Sequence, residues 1–270
     1  MFRDCSYISS VPIDLLPATK LSDGCYRYMF DYCLKLEHAP DLPATTLSDS
    51  CYGNMFRGCT SLTTAPALPA TTLAPNCYQQ MFNACSSLTE APNLVATTLA
   101  NNCYDNMFAG CTSLTTAPTI LATTLAQNCC KGMFMNCKSL TVAPELPMTT
   151  LANYCYYQMF QGCTSLTEAP ELPATTLATS CYQQMFQDCT SLTTAPELPA
   201  TILVQNCYTN MFNGCSSLSN ITVYVNSWNT NRTANWVNGV ATIGDFYNLG
   251  GATISVGTSG IPTGWTEHTS

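Results

Sequence analysis

With 270 residues and a formal net charge of −8, the chain lacks the basic patches that nucleic acid and anionic membranes require of their partners. Charged residues are only 9% of the total, against about a quarter in ordinary globular domains, so its surface must be built from Thr, Ser, Asn and Gln. No apolar run is long enough to span a bilayer as a helix, and this length would fit one or two domains.

The chain opens already in phase with its later units. Met1, Phe2 and Cys5 correspond to Met29, Phe30 and Cys33, with two extra residues near Ile13 and Asp14. No charged and apolar leader precedes Met1, so the expectation is a segment trimmed from a longer protein, with a true start at Met1 as the alternative, and signal and anchor are not expected within it. From there a cysteine recurs every 26 residues, at Cys25, Cys51, Cys77, Cys103, Cys129, Cys155, Cys181 and Cys207. A second comes eight residues after each, from Cys33 to Cys215. A fixed period of this length marks a solenoid, because a unit so small buries its apolar face only by stacking on its neighbours. The absence of insertions between Cys25 and Cys215 predicts a tight stack with columns about 4.8 Å apart.

Within each unit the spacing predicts three parts. The first is a short helix. In the unit starting at Asn76, the apolar residues Cys77, Tyr78, Met81, Phe82 and Cys85 fall at i, i+1, i+4, i+5 and i+8. Ser50, Asn76, Asn102, Asn128, Ser180 and Asn206 read as its N-caps, and Gly58, Gly110, Gly162 and Gly214 as left-handed stops. The second is a brief strand such as Ser61–Ala65, with Leu62 inward, Thr63 outward and Pro66 ending it. The third is an extended return, Leu68–Leu73, with both leucines inward. The unit around Cys129 departs from the pattern: Cys130 replaces the tyrosine, Lys131-Gly132 comes next, and Met135 and Met148 add bulk, which reads as local drift in packing. After Cys215 the pattern dissolves. A strand at Asn220–Val225, a short helix at Thr233–Val237 and strands around Gly244–Tyr247 and Ala252–Val256 would make residues 219–270, which hold all three tryptophans, a β-rich C-terminal cap on a 1–218 solenoid.

No constellation of residues points to catalysis. His38 and His268 belong to no repeated arrangement, and no nucleophile motif occurs, so no enzyme and no cofactor are expected. The cysteine spacings of eight and eighteen do not resemble the short pairs of zinc sites, and continuous ladders with equal neighbours favour buried free thiols over disulfides. The tyrosine column from Tyr26 to Tyr208 is expected to pack ring on ring with its hydroxyls at the surface. Glu145, Glu171 and Glu197 share one column and form a weak candidate for a cation row, set against a plain solvated face.

The run MFxGCxSLxxAPxLPxTxL resembles the 26-residue bacterial surface-protein repeat and the BspA-like (Treponema-type) leucine-rich repeats over about Met1–Leu218. The resemblance implies a leucine-rich-repeat-like α/β solenoid, at a bacterial cell surface or secreted, that serves adhesion. Cys, Ala and Pro stand where such repeats more often carry Leu, Ile or Asn.

The expected function is therefore non-catalytic recognition of a host or bacterial surface protein or glycan, without nucleic acid or direct membrane insertion. A structural scaffold of the cell surface is the alternative. A more remote one is an ice-binding solenoid, set back because adjacent threonines such as Thr71-Thr72 should point to opposite faces of an extended chain. Variation between units marks the ligand-binding candidates: His38, Thr64, Glu90, Thr116, Val142, Glu168 and Thr194, a column released from the packing that fixes its neighbours. The column of Asp41, Ala67, Asn93, Thr119 and Glu145 varies likewise and could widen the patch.

Overall fold

The computed structural model describes residues 2–269. Successive 26-residue units are stacked coils sharing one continuous core, in which the cysteine, Met, Phe and Leu columns are buried along most of the stack. Phe2, Phe30, Phe56, Phe82, Phe108, Phe134, Phe160, Phe186 and Phe212 form a ladder of near-parallel rings with centroids 5.5–5.8 Å apart. That repeat exceeds the about 4.8 Å of paired strands.

The expected helices do not form: among the described residues there is none. Each Cys-to-Cys segment is instead a run of tight turns with a left-handed residue at every fourth position. Asn102, Asn106 and Gly110 are one set, and Asn206, Asn210 and Gly214 another, with φ of 53–79°. The residues read as N-caps, Ser50 and Asn76 among them, are themselves left-handed, which a helix N-cap is not. The physical reason lies in the backbone hydrogen bonds. Arg27, Met29, Asp31 and Cys33 donate three residues back within the segment. The alternate N–H groups of Tyr26, Tyr28, Phe30 and Tyr32 donate to Cys51, Gly53, Met55 and Arg57 of the next coil, at 2.7–3.0 Å. An α-helix would keep every donor to itself, whereas the turn run spends half of them tying coils together.

The brief strand of each unit shrinks to one bridged residue per coil, and the Leu68 and Leu73 columns point inward as expected. At the C-terminal end a three-stranded parallel sheet forms from β1 (Asn220–Val223), β2 (Asp245–Asn248) and β3 (Thr266–Thr269), in that order. Two expectations there need correcting. Ala252–Val256 forms no strand beyond a lone bridge from Val256 to Ile261. Thr233–Val237 is not helical. It lies in a further turn run, with left-handed Asn235 and Gly239, that accepts hydrogen bonds from Tyr208, Asn210, Phe212 and Gly214. Trp236, fully buried, lies 6.1 Å from the Tyr208 ring and 6.0 Å from Phe212, so one indole closes both aromatic columns.

The opposite end carries a buried carboxylate. Asp31 receives a two-pronged contact from Arg57, at 2.8 and 2.9 Å, and lies 3.2 Å from Arg3. No helix among the described residues is long and apolar enough to cross a membrane.

Candidate functional site

The seven candidate ligand positions form an exposed row across the coils. Parallel bridges join His38 to Thr64 and Thr64 to Glu90, then Thr116 to Val142, then Glu168 to Thr194, and all seven side chains are exposed. The pairing is bridge-like because the proline two residues on, Pro66 or Pro92 for instance, has no N–H to extend a ladder. The row also runs further than expected. Thr194 pairs with Asn220, Asn220 with Asp245, and Asp245 with Thr266, so β1–β3 carry the same surface past the last full unit. Asn220 could have been found from its 26-residue step after Thr194, but Asp245 and Thr266 come at shorter, irregular steps that the sequence does not flag.

Beside the row lies an open groove formed by the stretch that reads Ala-Pro-x-Leu-Pro in most coils. One part, of 580 Å³, is lined by Glu90 and Thr116 of the row together with Asn93 and Thr119 of the neighbouring column. The two variable columns are therefore contiguous. Two further parts, of 460 and 390 Å³, lie along the coils of Glu145, Glu171 and Glu197. Those three glutamates are exposed, and Glu197 accepts a hydrogen bond from the Tyr224 hydroxyl at 3.3 Å. Among the described residues no three His, Cys, Asp or Glu side chains gather into a set able to hold a metal ion.

The threonine pairs do not point to opposite faces as expected of an extended chain. Both members of Thr71-Thr72, Thr97-Thr98, Thr123-Thr124, Thr149-Thr150 and Thr175-Thr176 are exposed. The chain bends at the first residue of each pair, so the two side chains need not alternate. The second members are bridged coil to coil, Thr72 to Thr98 to Thr124 and Thr150 to Thr176.

The cysteines are free, and all but Cys5 and Cys25 are buried. From Cys59 on, the second column forms a ladder in which each thiol donates to the carbonyl of the phenylalanine 29 residues earlier, as Cys59 does to Phe30 at 3.1 Å and Cys85 to Phe56 at 3.0 Å. Burial pushes the thiols up, Cys51 to about 11 and Cys85 to about 12, so they stay protonated and unreactive. Cys129 is the exception: the side chain of Cys130 hydrogen-bonds to it and lowers it.

The tyrosine rings do stack, with centroids 5.9–6.3 Å apart. The expectation that the hydroxyls lie at the surface fails for two of them. Tyr52 and Tyr78 bury theirs without a hydrogen-bond partner, beneath the stacked rings of neighbouring coils.

The stacked coils, the bridged row and the buried leucine columns define a repeat protein that presents an extended exposed row. The chain belongs to the BspA type leucine rich repeat family, whose model matches residues 24–159 and 132–235 in 6 copies. A leucine-rich repeat protein from Bacteroides ovatus, known from a crystal structure, aligns over 82% of this chain and 74% of its own at 19% identity, with a TM-score of 0.32. No curated protein matches the sequence.

Proposed function

We propose that this protein is a non-catalytic recognition or adhesion module, secreted or displayed on a bacterial cell surface, that binds a protein or glycan through its bridged row. Residues 1–218 form the solenoid that presents the row and residues 219–270 its cap. The observation that carries the reading is the contrast between columns. The core columns hardly change from coil to coil, whereas His38, Thr64, Glu90, Thr116, Val142, Glu168 and Thr194 differ and all face solvent. A solenoid recognises its partner with such an extended face. Membership of a repeat family used for interaction supports the same reading. A glycan array and a panel of extracellular-matrix proteins should yield a ligand, whose binding Glu90→Lys and Glu168→Lys weaken at an unchanged melting temperature. Loss of binding on changing Trp228, with both lysine variants still active, would move the site to the cap.

One observation favours a second reading. Both rows of the threonine pairs are exposed and in register, the kind of array that could order water on an ice face. Inhibition of ice recrystallisation by the protein, abolished by Thr98→Lys and Thr124→Lys, would establish it, and its absence at high concentration removes it.

A further inference from the structure

We propose that the groove along the coils of Glu145, Glu171 and Glu197 docks an extended peptide segment whose lysine or arginine side chains alternate with small residues. This surface adjoins the variable row, as the continuation of the neighbouring column, and the inference goes beyond the reading above in naming an occupant. Two adjoining depressions, of 460 and 390 Å³, share Pro170, Glu171 and Pro173, so the groove is continuous across three coils. Its floor is apolar, with Leu146, Leu172 and Leu198 buried beneath.

The polar side chains that line it are all of one kind. Prolines flank the glutamate in every coil, Pro170 and Pro173 in the middle one, and they carry no N–H. The glutamates add acceptors, and none of the three forms an ion pair among the described residues. The surrounding chain supplies no counter-charge either. Residues 139–231 contain Glu145, Glu168, Glu171, Asp188 and Glu197 but no lysine or arginine. An acceptor-rich groove with an apolar floor and uncompensated negative charge fits a cationic occupant whose methylene stems lie on the prolines. Three coils span about 10 Å between the outer glutamates, which three or four extended residues cover. A segment with side chains on alternate faces can thus present two cationic groups to the groove.

The test uses the full chain and a fluorescein-labelled hexapeptide of alternating lysine and alanine, followed by fluorescence polarisation. The same peptide with glutamate for lysine is the control. Binding is expected for the lysine peptide alone, weakened about ten-fold by the combined Glu145→Gln, Glu171→Gln and Glu197→Gln variant. A second variant, Asp14→Asn, Asp23→Asn and Glu37→Gln, removes the same charge from exposed sites on the first coils and should leave binding within about two-fold. All six positions are exposed, so the melting temperatures should match that of the parent. No binding of the lysine peptide, or an equal loss in both variants, overturns the proposal, the second result meaning attraction to net charge alone.

Discussion

At the scale of single residues, burial rather than bonding governs the chemistry. Eighteen cysteines would suit a disulfide framework by number, yet the second column places its thiols against phenylalanine carbonyls of the preceding coil. Thiols held near 11 or 12 by burial carry almost no thiolate at pH 8. Iodoacetamide on the native protein should therefore modify exposed Cys25, and more slowly Cys5, leaving the rest untouched, Cys129 among them because burial keeps the reagent out. After denaturation without reductant, intact mass should rise by 18 adducts. A mass showing eight or nine protected pairs would contradict the free-thiol ladder.

Asp105 is a second case. It is buried, its carboxylate accepts hydrogen bonds from Gln79 at 3.0 Å and Asn106 at 2.6 Å, and burial still raises it above the usual carboxylate range. A group raised in the fold binds more protons folded than unfolded. Its contribution is fully present below the unfolded value of about 3.9 and is lost as pH rises through the folded one. Asp105→Asn should then melt at or above the parent at pH 7, with the difference closing below about pH 4. A variant that melts lower at pH 7 would mean that the ionised carboxylate stabilises the coil.

At the scale of the repeated element, the turn run explains both what could be read in the sequence and what could not. The 26-residue period, the inward leucines, the free cysteines and the ring ladder follow from spacing and residue type alone. The helix did not, because the apolar positions of Asn76–Cys85 fit a four-residue period as well as a helical one. Four residues overshoot one α-helical turn by about 40°, so a strict period of four is itself a signal. The left-handed positions carry another: Asn102, Asn106 and Gly110, or Asn128, Gly132 and Asn136, put Asn or Gly at every fourth residue. Of the proposed binding surface, the exposed row was legible through its variation, whereas the groove was not, since its depth depends on how the coils stack. The glycines in this run have a further role. A Cβ at Gly58 would lie 2.6 Å from the Tyr32 ring, and one at Gly162 would collide with the side-chain oxygen of Asn136. Left-handed side chains thus lie over the next coil, and glycine alternates with them to leave room. Gly162→Ala should cost about 1–3 kcal/mol by urea denaturation, from overpacking added to its positive φ. In an Asn136→Gly background the cost should fall to about 1 kcal/mol, the backbone contribution alone. Equal costs in the two backgrounds would show that the contact between coils is irrelevant.

At the scale of the whole molecule, stability is a chain of nearest-neighbour interfaces, and its weak points are the two ends. The first coils use Asp31, Arg3 and Arg57. The last uses Trp236, whose indole N–H donates to the Gly260 carbonyl at 2.8 Å while its rings lie against Tyr208, Phe212 and Phe246. Trp228 packs 5.1 Å away and donates to Ser259, tying the residue 260 turn over the aromatic columns. Removing residues 219–270 would uncover the Tyr208 and Phe212 rings. It would also leave the N–H groups of Tyr208, Asn210, Phe212 and Gly214, now bonded to residues 232–238, facing outward. Such an edge is a template for a second chain. The truncated protein should therefore elute from size exclusion as oligomers or aggregate, where the full chain does not. Trp236→Ala in the full chain is the milder test: it removes the shared ring and keeps β1–β3, with an expected loss of about 3–5 kcal/mol. A truncated chain that stays monomeric with the parent's melting temperature would mean that the coils close their own end, and the cap would then be free to serve another purpose.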